Sequence, residues 1–229
     1  MFRSEHTFRA APRHPILAIT QTPLEFRLPH QFALFADAPA LPDGLRYAAN
    51  FIPEAVERDL IAHVAALPLQ SFQFGQYEGK RRVASFGWRY DYSERCLTSA
   101  DPIPDWLAPL IEQVVAFGGP QTRIDQVLCT EYEAGTGIGW HRDKPHFGRI
   151  FGVSLGSSCR LRFRRKAGDA WERRTLVVAP QSIYAMSGPS RFEWEHSIPT
   201  VDALRYSITL RTLKESGGKA IPSIPSGST

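Results

Sequence analysis

"CRLRFRR", residues 159–165, decides the fold class. Cys159, Leu161 and Phe163 fall on one side of an extended chain, and Arg160, Arg162 and Arg164 on the other. Successive side chains of a strand point to opposite faces, so this period of two marks a half-buried β-strand. Comparable runs follow: "WERRTLVV" (171–178), "QSIYAM" (181–186), "RFEWEHSI" (191–198) and "LRYSITLRTL" (204–213). Glycine, proline and aspartate separate them. From Thr122 onward the chain reads as short strands at regular spacing.

Toward the N-terminus the period changes. "IPEAVERDLIAHVAAL" (52–67) places Val56, Leu60, Ile61 and Val64 on one helical face, with Pro53 at its start. "IPDWLAPLIEQVVAFGG" (103–119) carries Trp106, Leu107, Leu110, Ile111, Val114 and Val115 as an apolar stripe, and Gly118 and Gly119 end it. Helices followed by many strands predict an α+β chain. Its C-terminal part is a sandwich or jelly roll, with the helices against one sheet. Residues 1–45 are proline-rich and read as an irregular arm, and residues 214–229 as a flexible tail. One domain over 46–213 remains.

Composition bounds the function. The 229 residues are 43% hydrophobic and 22% charged, which supports a buried core and excludes wholesale disorder. The formal charge of +4 is a mild basic bias that suits a polyanionic partner without requiring one. Cys96, Cys129 and Cys159 form no CxxC pair, which argues against a zinc finger or a disulfide framework and for a reducing compartment. The first residues lack the apolar run of a signal peptide, and no stretch nears the ~18 apolar residues of a membrane span. A cytoplasmic monomer is expected.

"EYEAGTGIGWHRDKPHFG" (131–148) raises the question of a metal. His141 and Asp143 point the same way if the backbone is extended, and Gly135, Gly137 and Gly139 suit a turn delivering them. By itself an HxD pair is more often a solvated polar turn. His196 in "EWEHSIP" supplies a third ligand, giving the two-histidine, one-carboxylate set that leaves positions open on an octahedral non-haem iron. On "LRYSITLRT", Arg205, Ser207, Thr209 and Arg211 share one face. The two arginine backbones lie roughly 20 Å apart, so their long side chains can close on a small dicarboxylate. The same face equally suits an outward polar strand edge.

Taken together the pattern resembles the AlkB family of iron(II)- and 2-oxoglutarate-dependent dioxygenases. "TEYEAGTGIGWHRD" is similar to that family's tyrosine–turn–HxD block, "SGPSRFEWEH" to its approach to the second histidine, and "RYSITLR" to its R-Y-N-x-T-x-R strand. The likeness covers roughly residues 45–213. It implies a double-stranded β-helix core, with Fe(II) on His141, Asp143 and His196. It implies that Arg205 and Tyr132, with Thr130, hold the distal carboxylate of 2-oxoglutarate. Arg211 and Ser207 would lie near the chelating end. Thr130 and Ser207 stand where the family carries asparagine and offer fewer hydrogen-bonding groups. The implied reaction uses O2 to turn 2-oxoglutarate into succinate and CO2 while hydroxylating a substrate C–H.

The substrate is less legible. "KRRVASFGWRYDYS" (80–93) aligns Phe86, Trp88, Tyr90 and Tyr92 on one face, which is either core packing or a lid that stacks a base. The resemblance implies a substrate lid ahead of the HxD block, which puts Arg82, Trp88 and Tyr90 at the substrate, with His146 as a further contact. "RLRFRRKAGDAWERR" (160–174) is either a soluble outer face or a stripe that follows phosphates. Single-stranded DNA or RNA bearing alkylated bases is the first expectation, with oxidative demethylation as the reaction. The alternative is a tRNA wobble modification or a protein side chain, toward which Trp194-Glu195-His196 leans. A third reading is a metal-holding module without catalysis. Lys144 and Pro145 stand where repair enzymes of the family carry an acidic residue, which predicts weak selectivity for cationic bases.

Overall fold

The computed structural model describes residues 40–74, 77–91 and 94–214. Most of the expected arm, up to residue 39, and the tail from residue 215 lie outside the described residues. In chain order the elements are β1 (Leu45–Ala48), α1 (Glu54–Ala65), β2 (Gln70–Phe74), β3 (Tyr77–Asp91) and β4 (Cys96–Ser99). Then follow α2 (Ala108–Gly118), β5 (Gln126–Tyr132), β6 (Ile138–His141), β7 (Phe147–Leu155), β8 (Cys159–Ala167) and β9 (Ala170–Val178). Last come β10 (Ser182–Met186), α3 (Gly188–Phe192), β11 (Glu195–Ile198) and β12 (Arg205–Leu213).

Among the described residues the strands form two sheets. One has eight strands in the order β1-β10-β7-β12-β5-β3-β2, with β4 on β3, and the other has four in the order β6-β11-β8-β9. Every pairing between these strands is antiparallel, which gives the expected jelly-roll core.

The period-two reading of "LRYSITLRTL" explains how the large sheet divides two cores. Tyr206, Ile208 and Leu210 face the helices and meet Leu60, Val64, Leu110 and Val114 there. Truncating one of these, Leu60→Ala for example, costs about 2–5 kcal/mol. Buried Glu57 of α1 ties this layer down. It accepts from the Gly156 N–H at 2.9 Å and from Gln181 Nε2 at 2.7 Å. The other face of β12 looks into the space between the sheets, walled by Tyr132, Ile150, Leu161, Phe163 and Tyr184.

Two local expectations are corrected. "RFEWEHSI" is not one strand: Arg191 and Phe192 belong to α3, and β11 starts only at Glu195. Pro189 in the first turn and a reciprocal Ser187–Ser190 capping box start the helical turn there. The aromatic run does not keep one face either. Phe86 is buried in the helix-side core, whereas Tyr90 meets Lys144 and His146. Gly87, at φ +76°, breaks the alternation between them, and a Cβ there would lie 2.3 Å from the Asp125 carbonyl. Tyr92 lies outside the described residues.

Candidate active site

β6 and β11 pair antiparallel with His141 directly opposite His196, and this register brings two distant histidines together. Their ring centroids are 4.3 Å apart. Asp143 follows two residues after His141, and His196 Nε2 lies 3.4 Å from its Oδ2. One ligand atom from each of the three residues falls within 4.8 Å of the others.

Electrostatics set the three protonation states. Burial pushes the Asp143 carboxyl up, but Arg211, both imidazoles and Arg191 outweigh it and hold the group well below the usual carboxylate range. Burial, reinforced by His141, pulls His196 down to about 3. Burial likewise lowers His141, against the pull of Asp143. At neutral pH the site is one carboxylate and two neutral imidazoles with lone pairs free, the donor set a divalent iron takes. His141 Nδ1 lies 2.8 Å from the Gly139 carbonyl, which fixes Nε2 as the free nitrogen.

Arg191 holds the loop after Asp143. Its guanidinium, 3% exposed, donates to the carbonyls of Lys144 (2.7 Å), Phe147 (2.9 Å) and Gly148 (3.0 Å). Arg211 donates through NH1 to Gln126 Oε1 at 2.8 Å and through Nε to Asp143 Oδ1 at 2.9 Å.

At the other end of the same strand face, Arg205 is 1% exposed. One nitrogen, NH2, donates to Ser154 Oγ at 3.1 Å. Its Nε and NH1 have no partner among the described residues. A buried cation with unmet donors costs several kcal/mol unless an anion completes it, so this end of the interior is shaped for a carboxylate. Tyr132 lies opposite Arg205 on β5, its ring 5.0 Å from the guanidinium. One level further along, Thr130, Ser207 and Ser154 are register partners and line up as a row of hydroxyls. Tyr184 closes the wall, its ring lying against Gly152, where a Cβ would fall 2.2 Å away. The donors present therefore fit both a metal and a small dicarboxylate.

A cleft of about 1530 Å³ opens over the triad between the sheets and β2–β3. Tyr90 lines it, with Lys144 Nζ 4.5 Å from its ring centre. Arg82, expected at the substrate, is instead on the far face of β3, bonded to Glu131 at 2.6 Å. Glu131 is its register partner, which holds it there, and its neighbour Arg81 lines the cleft. Trp88, opposite Ser99 on β4, stays off the cleft wall. His146 is exposed behind Tyr90, ring centroids 5.6 Å apart.

Sequence reasoning missed Ser154, Gln126, Tyr184 and Arg191. Ser154 had a signal, since it is the lone hydroxyl in the apolar run "IFGVSLG". Gln126 and Tyr184 had none without the strand register.

The model of the 2OG-Fe(II) oxygenase superfamily matches residues 44–211. A relative from Arabidopsis thaliana named as an alkylated DNA repair protein ALKBH8 homolog is 26% identical over 181 residues. The match covers 68% of this chain and 51% of that protein. The Mus musculus tRNA (carboxymethyluridine(34)-5-O)-methyltransferase ALKBH8 is 28% identical over 166 residues, 69% of this chain but 24% of its own length. The chain thus spans about half of the first relative and about a quarter of the second. In three dimensions it resembles the OsALKBH1 structure (TM-score 0.59, 15% identity, 75% of this chain and 97% of that one). It also resembles a Pseudomonas putida prolyl-4-hydroxylase (TM-score 0.53, 14% identity, 75% and 93%). No helix among the described residues is long and apolar enough to cross a membrane. With a matching family model over most of its length, the chain belongs to the 2OG-Fe(II) oxygenase superfamily, and it is an oxidoreductase that uses Fe(II), 2-oxoglutarate and O2.

Proposed function

We propose that this dioxygenase oxidises an alkyl group on a nucleic acid base, with removal of a methyl group as the simplest case. The observation that carries the reading is the cationic excess of the cleft: Lys80, Arg81, Arg89, Arg142 and Lys144 line it beside the triad, against Asp91 and Asp101. Such a rim attracts phosphates whatever the sequence. The names of two relatives, an alkylated DNA repair homolog and a tRNA-modifying protein, point the same way.

In this reading His141, Asp143 and His196 hold the iron, and Arg205, with Tyr132 and Thr130 beside it, takes the distal carboxylate of 2-oxoglutarate. Arg211 steadies Asp143, and Ser207 belongs to the hydroxyl row along the bound dicarboxylate. Bound iron and 2-oxoglutarate supply the oxidation, in which O2 yields succinate, CO2 and a hydroxylated substrate carbon. Where that carbon is an N-methyl, the N–CH2OH product breaks its C–N bond. Formaldehyde leaves, and the hydroxyl proton returns to nitrogen. Tyr90 stands where it can stack on the base, with Lys144 over its ring.

Lys144 favours a second substrate within the same chemistry. An ammonium on the cleft wall suits a neutral or acidic modification better than a cationic methylated base. A carboxyl-bearing tRNA wobble base fits that preference. The free thiols of Cys96, Cys129 and Cys159 suit a reducing compartment such as the cytoplasm.

The experiment is substrate-dependent succinate release. Methylated single-stranded oligonucleotides, bulk tRNA and an unfractionated protein substrate pool are compared, with His141→Ala, Asp143→Ala and His196→Ala as blanks. Stimulation by either nucleic acid supports the reading. Stimulation by protein alone overturns it, and full activity in any blank removes that residue from the iron site.

A further inference from the structure

The outer face of the four-stranded sheet carries a pattern that the chemistry inside does not use. The register places Trp171 opposite Lys166, Arg173 opposite Arg164, and Arg164 opposite Glu195. Arg164 sits between two indoles, 4.5 Å from the centre of Trp140 and 4.3 Å from that of Trp171. Arg162 lies 5.1 Å from Trp140, and Lys166 4.9 Å from Trp171.

Because β8 alternates strictly, every second residue from Arg160 to Lys166 adds a cation to this face, over roughly 20 Å. Arg173 extends the row on β9, and Arg142 stands beyond β6. Among the strand residues of this face one carboxylate answers them, Glu195, paired with Arg164 at 2.7 Å. Of the acids nearby, Glu172 pairs with Arg165 and Arg174 and Glu193 with Arg165, which leaves exposed Asp169, in the turn between β8 and β9, as the unpaired one among the described residues. Arg160, Lys166 and Arg173 are exposed. Trp140 and Arg142 also line the cleft, so the face is continuous with its mouth.

We propose that this face is the track for the single-stranded nucleic acid flanking the base in the cleft, its phosphates on Arg160, Lys166 and Arg173 and its bases against Trp140 and Trp171. The inference rests on the nucleic acid reading of the cleft and extends it. Cations interleaved with aromatic planes are what a single strand needs, since every base has a stacking face and every link a charge. An acidic polypeptide would meet the cations and leave the indoles unused.

The test measures anisotropy of a labelled, unmodified single-stranded oligonucleotide against a salt series. Intact protein loaded with Mn(II) and 2-oxoglutarate is compared with Arg160→Glu/Arg173→Glu, with Arg160→Ala/Arg173→Ala, and with Trp171→Ala. The two charge variants are expected to bind at least about tenfold more weakly and to lose about 1.4 from the log–log salt slope, at about 0.7 per phosphate contact. Trp171→Ala is expected to weaken binding with the slope kept. Succinate release without substrate stays at the wild-type level, because none of these residues touches the interior. If wild type binds and all variants match it, the track is wrong and the cleft reading stands. If wild type binds no oligonucleotide, both fall. If an acidic peptide of equal charge responds to the variants and the oligonucleotide does not, the face serves a protein and the proposal is overturned.

Discussion

Arg211 and Asp143 are joined through one carboxylate oxygen: NH2 and Nε of the arginine lie 2.7 and 2.9 Å from Oδ1, and Oδ2 is left toward His196. The arginine thus selects which oxygen faces the metal and keeps it ionised. Arg211→Met is expected to release the Asp143 carboxyl toward its ordinary range or above, since burial alone raises it. Metal binding needs the carboxylate, so it is lost as pH falls, and the loss moves to higher pH in the variant. Mn(II) titrations across the mildly acidic range check this. An unmoved midpoint would show that the pair does not govern the ligand.

Arg205→Ala is expected to raise the 2-oxoglutarate requirement by about two to four orders of magnitude. Removing one partner of a buried charge pair costs about 3–5 kcal/mol. Because Nε and NH1 have no hydrogen-bond partner among the described residues, the variant loses little elsewhere, and thermal unfolding of the ligand-free protein changes slightly or improves. The readout is succinate formed against 2-oxoglutarate concentration. Unchanged affinity refutes the assignment.

Gly152→Ala tests the wall between the metal and Arg205. The new Cβ would lie 2.2 Å from the Tyr184 ring, which must swing toward the dicarboxylate space. Overpacking of this kind costs about 1–3 kcal/mol in stability. The 2-oxoglutarate affinity is expected to fall while Mn(II) binding persists, and Gly152→Ala/Tyr184→Leu is expected to recover both losses in part. Equal loss of metal and 2-oxoglutarate would show that the whole interior has collapsed instead.

Lys144 sets the expected charge preference. An ammonium about 6 Å from a cationic base disfavours it by roughly 3 kcal/mol at an effective dielectric of about 20. The wild type should therefore not prefer 1-methyladenine over a neutral etheno adduct, and Lys144→Glu should move the ratio of kcat/KM toward the cationic lesion by about tenfold or more. A hundredfold preference for the cationic base in the wild type would overturn this.

The legible part of the site was the part carried by short-range order. His141 and Asp143 sit two apart, and Arg205 and Arg211 share a strand face, so a period of two sufficed to pair them. The helices at 54–65 and 108–118 were legible for the same reason, each with a proline at its start and the second with glycine at its end. What stayed hidden depended on partners far along the chain. Ser154 meets Arg205, and Glu131 draws Arg82 off the cleft, only through the pairing of β12 with β7 and of β3 with β5. Gly87 misled because one residue in the left-handed region reverses every side chain after it. The turn at Ser187–Ser190 was masked by "RFEWEHSI", whose composition alone suits a strand.

β6 is four residues long and forms one edge of its sheet, with β11 as its partner on one side only. Edge strands of that length are the first to fray. An ion gripping His141, Asp143 and His196 therefore rivets a loose hem to the cloth behind it. Iron is therefore expected to tighten this edge as well as to serve catalysis, and the metal-free chain should be cut sooner by a protease within Ile138–His141.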